Sequence, residues 1–84
     1  MKKLEVGKLY QVKKGKNLKC FAAKLPAPRK HVFLNQGEKF LIIQIDQNLF
    51  NNVAVTLLRI SQCSLIKCEI WTFDIENNIE WSLK

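Results

Sequence analysis

Residues 31–46, HVFLNQGEKFLIIQID, decide the reading of this chain. A short apolar segment, HVFL, meets a turn at NQGE and then the run KFLIIQID, rich in the β-branched and aromatic residues that suit a half-buried pleated surface. Asn35 and Gly37 are residue types that accept φ > 0, so the turn is expected to hinge on them. A Gly-Glu turn lets the backbone diverge without a Cβ clash, which makes Gly37 structural. Glu38 beside it is expected to satisfy backbone donors or water rather than a ligand.

Upstream of the hinge, KLYQVKK alternates with Tyr10 and Val12 on one face and Leu9, Gln11 and Lys13 on the other, the period of a half-buried strand. KGKN ends it. Residues 15–36 are the least regular part, because Pro26 and Pro28 remove two backbone donors and hold their predecessors extended. A long irregular loop, or a loose hairpin, is expected there, with CFAAKL long enough for one helical turn. Downstream, QNLFNN turns the chain into VAVTLLRI, SQC turns it into SLIKCEIWTF, DIENN suggests a short helical turn, and IEWSLK closes as a short strand. Five strands with short turns between the last four predict an all-β small barrel or sandwich.

At 84 residues the chain is expected to form a single domain over residues 1–84, since a second unit would lack a core of its own. Its 48% hydrophobic and 25% charged residues, with three Gly and two Pro, describe a folded chain. The longest apolar run, FLIIQI, is far short of the roughly 20 residues of a membrane helix, and MKKLEVGKLY lacks the apolar run of a signal peptide. A cytoplasmic protein without membrane contact is expected.

Cys20, Cys63 and Cys68 make an odd count, which argues for free thiols over a disulfide framework. With His31 they lack the paired spacing of a zinc knuckle, so no metal and no cofactor is expected. His31 has no identifiable partner as a base, the acidic turn of Asp74, Glu76 and Glu80 reads as solvated, and the three glycines form no phosphate loop. These absences argue against an enzyme.

The charge is uneven. Residues 1–30 hold ten Lys or Arg and one acid, a net of +9, whereas residues 31–84 hold four basic residues and six acids, a net of −2, together the +7 of the whole chain. Such a split predicts one electropositive face suited to phosphates or to an acidic partner. Lys13, Lys14, Lys16, Lys19, Lys24, Arg29 and Lys30 are the candidate polyanion-binding residues, with Tyr10 and Phe21 as candidate stacking residues and Phe33 in the same region. The alternative places Tyr10 and Phe33 in the core, with the lysines solvating a loop. Trp71 and Trp81 are expected to fill the barrel, Trp81 with the option of a surface position.

The order of elements resembles the Src-homology-3-like small barrel: a first strand KLYQVKK, an irregular loop, the apolar-x-x-Gly-acid turn in FLNQGEKFLII, the meander VAVTLLRI and SLIKCEIWTF, and the ending DIENNIEWSLK. The resemblance implies a five-stranded barrel with a long irregular loop after strand 1. The early Tyr-containing motif and the tryptophan pair of the peptide-binding members are missing, so proline-rich peptide binding is not implied. The chain is closer to bacterial and bacteriophage versions, small basic proteins that bind nucleic acids, nucleotides or host proteins.

A binding module that takes nucleic acid or another polyanion is therefore the expected function. The alternative is a phage-type counter-defence inhibitor or sponge for a host protein or a small phosphorylated nucleotide. In VAVTLLRI and SLIKCEIWTF both faces are apolar, Val53, Val55 and Leu57 opposite Ala54, Leu58 and Ile60, and Leu65, Trp71 and Phe73 opposite Ile66, Cys68 and Ile70. Unless a kink makes a strand switch faces, this surplus predicts a homo-oligomer.

Overall fold

A computed structural model of the chain describes residues 3–22, 31–48 and 50–82. Seven strands and one helix follow in order: β1 (Leu9–Val12), β2 (Leu18–Ala22), β3 (His31–Leu34), β4 (Lys39–Asn48), β5 (Asn52–Arg59), β6 (Ser64–Trp71), α1 (Thr72–Asn78) and β7 (Ile79–Trp81). The strands make one sheet in the order β3-β2-β6-β5-β4-β1-β7, with every neighbouring pair antiparallel. Among the described residues the fold is all-β, with seven strands rather than five, and the sheet curls into a half-barrel that does not close. Among the described residues no helix is long and apolar enough to cross a membrane.

The two additional strands come from the segment expected to be irregular. Leu18 and Cys20 are buried while Lys19 and Phe21 are not, a period of two, and β2 finds partners on both sides, β3 and β6. Paired on two edges, the backbone of this stretch gains more hydrogen bonds than one isolated helical turn gives. The stretch that begins at Cys20 thus enters a strand rather than a helical turn. Pro26 and Pro28 lie between β2 and β3, outside the described residues.

At the hinge, Gly37 has φ +79°. Its N–H donates to the Val12 carbonyl at 2.8 Å, and the Glu38 N–H closes the turn on the Asn35 carbonyl at 3.0 Å. Positive φ is confined to Gly37 in this turn; Asn35 contributes its carbonyl, and its own N–H donates to Glu38 Oε1 at 3.1 Å.

The curl itself is produced within β4. Its register against β5 shifts between Ile42 and Gln44 and again between Ile45 and Gln47, leaving Ile43 and Asp46 as extra residues. Each such bulge bends the strand and increases its twist. The bulges also correct the facing of the side chains: Phe40 and Ile42 point into the core, and Ile45, opposite Val55, packs against the same core although its number is odd. Asp46 is held outside, accepting hydrogen bonds from Gln44 Nε2 at 2.6 Å and Thr56 Oγ1 at 3.3 Å.

The concave face holds one core, built from Tyr10, Val12, Leu18, Leu34, Phe40, Ile42, Val55, Leu57, Ile70 and Ile79, with Ile75 of α1 closing one side. Tyr10 is fully buried and stacks on Phe40 with ring centroids 5.8 Å apart. Its hydroxyl donates to the Lys3 carbonyl at 3.1 Å and accepts the Glu5 N–H at 2.9 Å, which fastens the N-terminal segment to the barrel. Burial pushes the Tyr10 phenol up. Cys20 and Cys68 are buried free thiols packed as small apolar groups; the neighbouring Cys68 side chain and burial both push the Cys20 thiol far up. Cys63 is exposed in the turn between β5 and β6.

Candidate functional site

The convex face is set by the same alternation that fills the core. Because Leu18 and Cys20 of β2 point inward, Lys19 and Phe21 point outward; because Leu34 of β3 is buried, Phe33 is not. On β6, buried Cys68 and Ile70 leave Glu69 and Trp71 on the outside, and on β5 buried Val53 leaves Asn52 and Ala54 there. Register then brings these side chains together. Lys19 lies opposite Phe33, Phe21 opposite Glu69, and Asn52 opposite Trp71.

A continuous strip results across four adjacent strands. Lys19 Nζ lies 4.9 Å from the centroid of the Phe21 ring and 5.9 Å from that of Phe33, within the range of cation–π attraction. Phe21 stacks on Trp71, its diagonal neighbour, with centroids 5.9 Å apart and 21° between planes. Phe33 is 47% exposed and Trp71 54%. The strip ends in an open recess of about 400 Å³ lined by Asn51, Asn52, Trp71, Thr72 and Phe73. Asn52 Oδ1 is buried in this region and, among the described residues, accepts no hydrogen bond.

Electrostatically the strip has two ends. Lys19 supplies a cation between rings near β3, whereas Glu69 sits between Phe21 and Ala54 in the middle. Asp74 of α1 is close enough to feel Lys19; burial nevertheless dominates and raises its carboxyl above the ordinary range. An anion is thus favoured at the Lys19 end, and flat uncharged groups are favoured toward Trp71.

The remaining candidates fall into separate places. Lys13, Lys14 and Lys16 share the turn between β1 and β2, where the Lys13 N–H donates to the Asn78 carbonyl at 2.9 Å and the Lys16 N–H to the Lys13 carbonyl at 3.1 Å. Lys14 lines an open recess of about 210 Å³ with Gln11, Gln36, Gly37 and Glu80. Lys8, which was not among the candidates, covers Trp81 at 5.1 Å on the β7 side of the sheet. Lys24, Arg29 and Lys30 lie outside the described residues.

Two aromatic assignments are corrected. Tyr10 is a core residue and offers no face to a ligand, because its ring is needed against Phe40. Trp71 does not fill the barrel: it follows buried Ile70 and therefore points outward, and Trp81, at 53% exposure, is also on the surface. The recess with Asn52 was not anticipated, although the alternation that placed Trp71 opposite Ile70 contained half of it. Compared with known proteins, the chain matches no family model, no curated protein and no solved structure.

Proposed function

We propose that this chain is a non-catalytic module that binds single-stranded nucleic acid across the convex face of β3, β2, β6 and β5. One observation carries the reading: Phe33, Phe21 and Trp71 form a ring path on the solvent side of a sheet, with the Lys19 ammonium between two of the rings. Rings held on a sheet face offer stacking platforms, worth about 1–3 kcal/mol per base, while lysines meet the phosphates. Lys19 supplies the cation of the strip; Lys13, Lys14 and Lys16, apart from it in the turn that precedes β2, would meet phosphates that run on beyond its end, and Glu69 keeps the phosphate path away from the middle of the strip. Tyr10 drops out, and Phe33 and Trp71 join Phe21 as stacking residues.

The strand order supports a second part of the proposal, that the half-barrel is a Src-homology-3-like sheet in which the irregular loop has become the β2–β3 hairpin. In favour stand the pairing of β1 with the last strand β7, the β4–β5–β6 meander, the Gly-acid turn that opens β4, and the helix between β6 and β7.

Titration of the purified protein with fluorescent twelve-nucleotide DNA and RNA at several salt concentrations tests the function. With four lysines engaged, log affinity should fall with log salt at a slope of about −3. Phe33→Ala should weaken binding by roughly 5- to 150-fold at fixed salt, the range that loss of one stacked base gives. Binding that is indifferent to salt and to Phe33→Ala, or no binding at all, would sink the reading.

A further inference from the structure

We infer that the recess at the end of the strip is a slot that holds one nucleobase by its flat faces against Trp71 and Phe73, which makes Phe73 a further binding residue; the inference rests on the nucleic-acid reading of the same face. The walls of the slot follow from the local fold. Ile75 of α1 is buried, so Phe73, two positions earlier and about 200° round the helix, is turned out and stands 69% exposed. Trp71 follows buried Ile70 at the end of β6 and is 54% exposed. Two large rings thus line one recess of about 400 Å³, and adjoining apolar rings left in solvent mark a ligand groove where a lone one would mean nothing.

Both rings sit on fixed backbone. The Thr72 N–H donates to the Asn51 carbonyl at 2.9 Å, which ties the start of α1 to the turn before β5. Asn52 pairs with Trp71 across the strands, and Asn77 Nδ2 donates to the Phe73 carbonyl at 2.7 Å. A slot formed in advance binds with little ordering cost. Its lining then decides the occupant. Asn51, Asn52, Trp71, Thr72 and Phe73 carry no formal charge, so a phosphate finds no counter-ion there, whereas Lys19 offers one at the other end of the strip. A strand whose phosphates keep to the Lys19 side turns a base, and not its backbone, into the recess. Phe21 stacks on Trp71, so the slot continues the ring path across the sheet. Ring faces read no base edge, since every base has a π-face, and the slot takes purines ahead of pyrimidines only as far as a larger face stacks more strongly.

Two measurements decide the matter. In the first, fluorescent dA12 is titrated at one salt concentration with the wild-type protein, Phe73→Ala, Phe73→Tyr and Phe33→Ala. Phe73→Ala should weaken binding by roughly 5- to 150-fold, the range that loss of one stacked base gives, whereas Phe73→Tyr, which keeps the ring, should stay within about twofold of the wild type. Wild-type affinity in Phe73→Ala beside a loss in Phe33→Ala overturns the slot and leaves the nucleic-acid reading standing. Equal losses in Phe73→Ala and Phe73→Tyr also overturn it, because the ring is then not what matters; a wild type that binds no oligonucleotide removes both readings. The second measurement needs no variant. The wild-type protein, with its aromatic rings labelled with ¹³C, is titrated with dA12, and the ring protons of Trp71 and Phe73 should move upfield as a base stacks on them. Phe73 ring signals that stay in place while those of Phe21 or Phe33 move overturn the slot.

Discussion

Arg59 Nε donates to Glu38 Oε2 at 2.6 Å, and the two side chains are only 11% and 9% exposed. The bond ties the turn that opens β4 to the far end of β5, and the Glu38 carboxylate also accepts the Asn35 N–H at 3.1 Å and the Ser61 hydroxyl at 3.4 Å. Removing one member strands the other in a nearly dry place. Arg59→Met is therefore expected to cost about 3 kcal/mol, which at roughly 4–8 °C per kcal/mol lowers Tm by more than 10 °C. The double variant Glu38→Gln with Arg59→Met should recover much of that loss, because no uncompensated charge remains. Thermal unfolding of the three proteins reads the difference; a double variant no better than the single one would refute the explanation.

Acid should act on the same contact. Burial works against the Glu38 carboxylate, but the Arg59 and Asn35 hydrogen bonds, the Arg59 charge and the Ser61 hydroxyl outweigh it and hold the carboxyl below its ordinary range. A lowered native pKa contributes stability that is present above the unfolded value and is lost as pH falls through the native one. Asp74 has the opposite sign: its raised native pKa contributes stability present below the unfolded value and lost as pH rises through the native one. Chemical denaturation across pH 2 to 7 should show Glu38→Gln flattening the acid limb, and Asp74→Asn raising stability near pH 7. An acid limb unchanged by Glu38→Gln contradicts the first half of this expectation.

Cys63 has φ +48° without being glycine. It occupies the turn between β5 and β6, its N–H donating to the Ile60 carbonyl at 3.3 Å, so the conformation is imposed by the turn. A left-handed backbone costs an ordinary residue roughly 1 kcal/mol, less for asparagine. Cys63→Asn should raise Tm by a few degrees and leave oligonucleotide affinity unchanged. A fall in Tm would show that the exposed thiol contributes more than the strained backbone costs.

Two members of the apolar surplus read from the sequence, Leu58 and Leu65, are joined on the surface by Leu9 and Leu41. Leu9, Leu41, Leu58 and Leu65 lie opposite one another in a single row across β1, β4, β5 and β6 on the convex face. Leu65 is 65% exposed. The expectation of self-association attaches to this row, since two copies laid face to face would match leucine with leucine. Sedimentation velocity over a range of concentrations tests it: Leu65→Lys should abolish any concentration dependence shown by the wild type. A wild type that stays monomeric throughout rules the association out.

Much of this architecture was legible because alternation survives tertiary context wherever one face is buried. Tyr10 with Val12, and Val53 with Val55 and Leu57, were read on one face each and are buried together. The two-sided apolar pattern of β6 likewise placed Trp71 opposite Ile70. What escaped was pairing: nothing local reveals that Leu18–Ala22 lies between β3 and β6, because that contact joins residues nearly fifty positions apart, Phe21 with Glu69. Prolines nearby made the segment look irregular; they lie outside the described residues. The site was less legible than the fold for the same reason. Lysine-rich sequence pointed to Lys19 and Phe21, but Phe33 and Trp71 join them only through register, and the orphan oxygen of Asn52 has no signature in a one-dimensional string.

The two extra residues of β4 also govern how relatives of this chain would differ from it. Because Ile43 and Asp46 are the unpaired residues, loss of either one would leave Gln44 opposite Thr56 and Ile45 opposite Val55, removing a bend without turning any later side chain to the other face. Single-residue gaps at these two positions should therefore spare the core, and what such a relative would give up is curvature.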